Sequence, residues 1–277
     1  MADVSDDDDE GWAELDEDHE HPGGRPVVRL EVPDPPKDPA DAEALLTMGA
    51  VTIVGRMPWS TNATFLVEVR DEGGPDGAER RALAVYKPER GERPLWDFPG
   101  GLWRREVAAH RLSAWLGWDL VPCTVVRGDD APLGVGSLQQ FVPFDAEAHY
   151  FTLIEDESTH DVLRRLCVFD LLANNTDRKG GHVLLAPDGG IWAIDNGLSF
   201  HVEPKLRTVI WEFGGHPMVA ELVEDVERLA AGGVPDLVAE LLEPDEQEAL
   251  LRRARAVATN RRFPIDRSGR RYPWPLV

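Results

Sequence analysis

The sequence predicts an α+β protein of two lobes, a small antiparallel sheet followed by a mainly helical half. Three observations predict it. Short apolar, β-branched runs separated by turn residues fill the stretch 51–141, interrupted by one long amphipathic segment at 102–116. Beyond Pro143 the apolar period changes from about 2 to about 3.6, in segments 161–173, 218–229, 234–242 and 245–257. Pro143 itself leaves the last sheet strand after Gln139, Gln140, Phe141 and Val142, where a residue lacking an N–H suits a hinge between lobes.

Composition bounds the function. A chain of 277 residues with 42% hydrophobic and 29% charged residues has the make-up of a globular protein with a sizeable core. Its net charge of -22 repels nucleic-acid phosphates and anionic lipid, so neither DNA nor RNA is expected as a partner. No apolar run approaches the ~18–20 residues of a membrane span, and the start MADVSDDDDE lacks a basic-then-apolar signal pattern. A cytoplasmic location is therefore expected. Cys123 and Cys167 stand apart from one another and from any Cys/His cluster, which makes them buried thiols rather than a zinc or disulfide framework.

In order, residues 1–40 are acidic and then Pro-rich, a disordered tail by composition and a candidate binder of a basic partner. The first lobe spans 41–140. A short helix at 41–49 precedes strands at 51–56, 64–70 and 81–87, with the flexible loop DEGGPDG between the last two. The first hairpin carries Ser60, Thr61, Asn62 and Ala63 at its tip, residues small enough for backbone N–H groups to approach an anion. After the helix 102–116, stopped by Gly117, strands at 121–127 and 135–141 complete the sheet. The second lobe, 141–277, opens on the helix 161–173, ended by Asn174 and Asn175, and on strands 182–185 and 191–194 joined by APDGG.

Lysine is scarce, limited to Lys37, Lys87, Lys179 and Lys205, so Lys87 at the end of an apolar strand is informative. A buried ammonium needs an anion, and Glu106 on the next helix is the candidate. Kinases hold a Lys against nucleotide phosphates in this way. Asp177 follows a helix and Asp195 follows a strand, in the order that kinases place an acceptor-orienting carboxylate and a metal-binding one.

The segments NNTDRKGGH and AIDNGLSF, with STNATF, AVYKP and REVAAHRLS upstream, resemble the phosphatidylinositol 3- and 4-kinase superfamily over about residues 45–215. The likeness leans to type II phosphatidylinositol 4-kinases and to an actinobacterial family of kinase-like proteins. It implies a protein-kinase-like fold binding ATP and Mg²⁺ or Mn²⁺ between the lobes. By position it implies Lys87 on the α/β-phosphates, Glu106 on Lys87, Asp177 as catalytic base or acceptor-orienting group, and Asp195 as metal ligand. Ser60, Thr61, Asn62 and Ala63 would cover the phosphates, while Gln140, Phe141 and Val142 would meet the adenine edge through their backbone.

Arg178 is left to pair with Asp170 or with phosphate. Where relatives carry a metal-ligating Asn, this chain has His182, a ligand that suits Mn²⁺ or Zn²⁺ better than Mg²⁺. His182 is open to a shifted metal preference, a single metal site, a weakened enzyme or simple packing beside Trp192. The expectation is an ATP-dependent phosphotransferase acting on a protein hydroxyl, a small metabolite or a lipid. A nucleotide-binding pseudokinase and a nucleotidyl transferase are the alternatives.

Overall fold

The computed structural model describes residues 33, 36, 38–57, 60–71 and 79–277. Most of the acidic tail, the loop after the second strand and Trp59 lie outside them. Helix α1 (Pro39–Met48) begins two residues before the predicted start, because Asp38 accepts the Ala40 N–H at 2.8 Å and Pro39 occupies the first turn. Strands β1 (Ala50–Arg56), β2 (Phe65–Asp71) and β3 (Arg80–Pro88) follow. Helix α2 (Leu102–Leu116) ends as predicted on Gly117, whose φ of 74° is left-handed.

Strands β4 (Thr124–Arg127) and β5 (Gly136–Gln140) complete a five-stranded antiparallel sheet of order β1-β2-β3-β5-β4. β4 starts three residues later than expected, since Pro122 cannot donate to the ladder. Along β3 the alternation of a strand places Ala82, Ala84 and Tyr86 in a core with Leu45 and Leu46 of α1. Lys87, one residue on from Tyr86, faces the other side.

The second half contains α3 (Tyr150–Leu153), α4 (His160–Ala173), the hairpin β6 (Val183–Leu185) and β7 (Ile191–Ala193), then α5 (Ala220–Gly232), α6 (Asp236–Ala239) and α7 (Pro244–Asn260). α6 is a single turn where a helix over 234–242 was expected, because Pro235 fixes its start. Its core joins Leu163, Leu166 and Phe169 of α4 to Val226, Leu250 and Phe263, and takes in Ala108, Ala109 and Leu112 of α2. α2 is thus held by the helical half although it lies between sheet strands in sequence.

A buried ion pair, Arg105 with Glu246 of α7, fastens α2 on that side. Cys123 and Cys167 are both free and buried. Among the described residues no helix is long and apolar enough to cross a membrane.

Candidate active site

Three elements bring charge to one point. Lys87 Nζ donates to Glu106 Oε1 and, at 2.9 Å, to Asp195 Oδ1, joining β3, α2 and the segment after β7. Burial alone would lower the Lys87 ammonium, but the Asp195 and Glu106 carboxylates outweigh it and hold the group above the usual lysine range. Lys87 conversely holds the Asp195 carboxyl well below its ordinary value. Glu106 is buried, and its Oε2 accepts the Asn196 N–H at 2.9 Å. One carboxylate therefore fixes both the lysine and the backbone next to Asp195.

Asp195 has φ 58°, a conformation that short polar residues tolerate better than most. That bend lets Asp195 reach Lys87 while the next N–H reaches Glu106. A Cβ on Gly197 would lie 3.3 Å from Glu106 Oε1, so a residue without a side chain keeps this approach open.

Asp177 lies in the loop after α4. Its N–H donates to Asn175 Oδ1 at 2.9 Å, and its carboxylate is 3.3 Å from Lys179 Nζ. Burial pushes the Asp177 carboxyl up and Lys179 pulls it back. Beneath it the fully buried Arg178 settles the choice left open by the sequence in favour of Asp170, with Nε to Oδ1 at 3.1 Å. Arg178 also donates to Ile194 O and Asn196 Oδ1, both at 2.6 Å, so the Asp177 loop and the Asp195 segment share one support.

His182 closes a single 3-10 turn, Gly180–His182, rather than opening a strand. Its Nε2 lies 3.5 Å from Asp195 Oδ2. Burial lowers the imidazole to about 4, against the pull of Asp195, which leaves the ring neutral near pH 7 and able to ligate a metal. Among the described residues no group of three or more His, Cys, Asp or Glu is gathered for a metal ion. Asp195 and His182 are two donors, so a cation between them would need its remaining ligands from phosphate and water.

Two predicted binding stretches are more engaged than expected. The Gln140 N–H donates to Cys123 O at 2.8 Å and the Phe141 N–H to Leu83 O at 3.0 Å, because β5 still pairs at its end. Among the described residues Val142 alone of the three has an N–H without a backbone acceptor. At the hairpin tip the Ala63 N–H donates to Gly91 O at 2.9 Å and Asn62 Oδ1 accepts the Arg93 N–H at 3.0 Å. Ser60 Oγ lies 2.7 Å from Thr64 Oγ1. The tip is braced against 91–93, and among the described residues no backbone acceptor takes the Thr61 or Asn62 N–H.

Sequence reasoning passed over Asn175, Lys179 and Asn196. The scarcity of lysine that singled out Lys87 applied equally to Lys179.

No protein-family model matches the chain. Protein Rv2133c of Mycobacterium tuberculosis is 38% identical over 272 residues, covering 85% of this chain and 95% of that protein. The crystal structure of the Golgi casein kinase with Mn/ADP bound is similar with a TM-score of 0.50 at 14% identity, over 86% of this chain and 80% of that one. The structure of hydra Fam20 with sugar has a TM-score of 0.48 at 14% identity, over 79% of this chain and 87% of that one. The fold is two-lobed and kinase-like, an antiparallel five-stranded sheet joined to a helical half.

Proposed function

This chain belongs to the same family as Protein Rv2133c of Mycobacterium tuberculosis, and we propose that it is an ATP-dependent phosphotransferase of phosphatidylinositol-kinase-like lineage. The observation that carries the reading is Lys87 held between Glu106 and Asp195, two carboxylates from elements far apart in sequence. A cation fixed by a helix Glu beside a second Asp is the arrangement that phosphoryl transfer needs. The lobes are 41–140 and 141–277, hinged at Pro143, in a cytoplasmic protein.

In the reaction Lys87 neutralises the α- and β-phosphates, and Glu106 holds Lys87 in place. Thr61 and Asn62 offer backbone N–H groups to the phosphates, and Val142 offers one to adenine. Asp177 orients the acceptor hydroxyl and accepts its proton. A carboxyl raised by burial is a better proton acceptor when ionised than an exposed one. Asp195 and His182 would hold Mg²⁺ or Mn²⁺, whose contribution is charge neutralisation on the transferring phosphoryl group.

Incubation with γ-labelled and α-labelled ATP, in Mg²⁺ or Mn²⁺, tests this reading. γ-Label transfer is expected, falling about 10²- to 10⁴-fold in Asp177→Ala and comparably in Asp195→Ala. Nucleotide binding without turnover in either metal would establish a pseudokinase instead, and α-label on a product would establish nucleotidyl transfer.

His182→Asn separates the roles of that residue. With an oxygen donor in place of imidazole, the ratio of Mg²⁺- to Mn²⁺-supported transfer is expected to rise. An unchanged ratio would show that His182 only packs.

A further inference from the structure

Beside the Asp177 loop lies a recess of about 330 Å³ whose lining includes Trp96, Thr176, Lys205, Arg207, Arg270 and Arg271. Backbone bonds fix where it sits. The Arg207 N–H donates to Asn175 O at 2.9 Å and Arg207 O accepts the Arg178 N–H at 3.0 Å, so Arg207 is strapped to both sides of Asp177. Arg271 joins the same layer, its carbonyl accepting the Thr208 N–H at 3.1 Å.

The charge of the recess opposes that of the chain. Lys205 is balanced by Asp97, which also lines the recess, at 2.9 Å. Arg207, Arg270 and Arg271 are exposed, and among the described residues none of their guanidinium groups is in an ion pair. Arg207, Arg270 and Arg271 thus line one recess of a chain whose net charge is -22, with Asp266 the carboxylate that Arg271 also acts on. Guanidinium groups recognise phosphate by paired, planar hydrogen bonds. The volume lies at the small end of small-molecule sites, about 300–1,000 Å³, which favours one compact anionic group over an extended peptide.

We propose that the acceptor is a small hydroxyl compound already bearing a phosphate ester, which the Arg207, Arg270 and Arg271 recess holds while its free hydroxyl faces Asp177. The inference rests on the phosphotransferase reading of the same site. In the step, the acceptor oxygen bonds to the γ-phosphorus of ATP, the bond from that phosphorus to the β-phosphate oxygen breaks, ADP leaves and the hydroxyl proton passes to Asp177.

Calorimetric titration of inorganic phosphate into the full chain, with ADP present to fill the nucleotide site, reads the recess directly. Phosphate is expected to bind, and Arg207→Gln/Arg271→Gln is expected to weaken it about tenfold or more. These side chains are exposed, so the variant keeps its fold; its ADP affinity, measured alongside, reports that. Lys87→Met should leave phosphate binding in place, because it alters only the nucleotide side.

γ-Label transfer to glucose 6-phosphate should exceed transfer to glucose, and the double variant should remove the difference chiefly through KM. Absent phosphate binding, equal binding in the double variant, succinate binding as tightly as phosphate, or label going only to acidic peptides would each overturn the proposal. Phosphate binding at the recess without γ-transfer to any acceptor would instead overturn the phosphotransferase reading, and with it the acceptor role.

Discussion

Replacing Arg178 by alanine is expected to destabilise the protein by about 3–5 kcal/mol, the cost of leaving one partner of a buried ion pair alone. Against the ~5–15 kcal/mol by which domains are usually stable, that is a large fraction. Arg178 and Asp170 are both fully buried, and Asp170 Oδ2 also accepts the Thr208 hydroxyl at 3.0 Å. Without the guanidinium, Asp170 keeps only that hydroxyl, and Ile194 O and Asn196 Oδ1 lose their donor.

The cost should depend on pH with a definite sign. Burial pushes the Asp170 carboxyl up, while Arg178 and Thr208 pull it back. Removing Arg178 strengthens the upward push. A group whose folded value lies above its unfolded one favours folding at low pH and loses that contribution as pH rises through the folded value. The stability gap between wild type and Arg178→Ala should therefore be smaller at pH 5 than at pH 8 in urea titrations. Asp170→Asn added to the variant should flatten this dependence. A gap equal at both pH values would show that the cost comes from the lost carbonyl and amide bonds rather than from a stranded charge.

Residues were legible where the local pattern was violated. Lys87 stood out because an ammonium has no place at the end of RALAVYK without a partner, and Asp195 because Asp-Asn-Gly follows an apolar strand. Lys87 lies at the end of β3 and Asp195 just past β7, and Glu106 contacts Lys87. What stayed hidden depends on pairings between distant segments. Arg105 reads as an ordinary charge on a helix, and only the packing of α7 makes it half of a buried pair with Glu246.

The end of the chain was equally silent. Leu276 O accepts the Gly180 N–H at 2.6 Å, and a Cβ on Gly180 would lie 3.0 Å from Phe151. The first Gly of DRKGGH thus has a packing reason that no periodicity reports. Turn and hinge residues such as Ala63 and Phe141 ordinarily leave their amides free. Gly91 and Leu83, brought up by tertiary structure, had already engaged them.

Lys87→Met is expected to lower kcat/KM for ATP about 10²- to 10³-fold, the loss typical of removing one electrostatic stabiliser of the transition state. It also leaves the Glu106 and Asp195 carboxylates without the ammonium between them. Glu106→Gln acts differently. Glu106 accepts two donors, Lys87 Nζ and the Asn196 N–H, and an amide can accept only on its oxygen side. Its NH₂ must then face one of those donors. Glu106→Gln should therefore lower turnover by displacing Lys87, as a positioning residue.

A cycle of the two single variants and the double variant separates displacement from independent action. If Glu106 works through Lys87, Glu106→Gln costs little once Lys87 is Met, and the double variant turns over ATP about as slowly as Lys87→Met alone. If Glu106→Gln is as costly in that background as in the wild type, its bond to the Asn196 N–H is the part that matters. In that case Glu106 sets the position of Asp195 rather than that of the lysine.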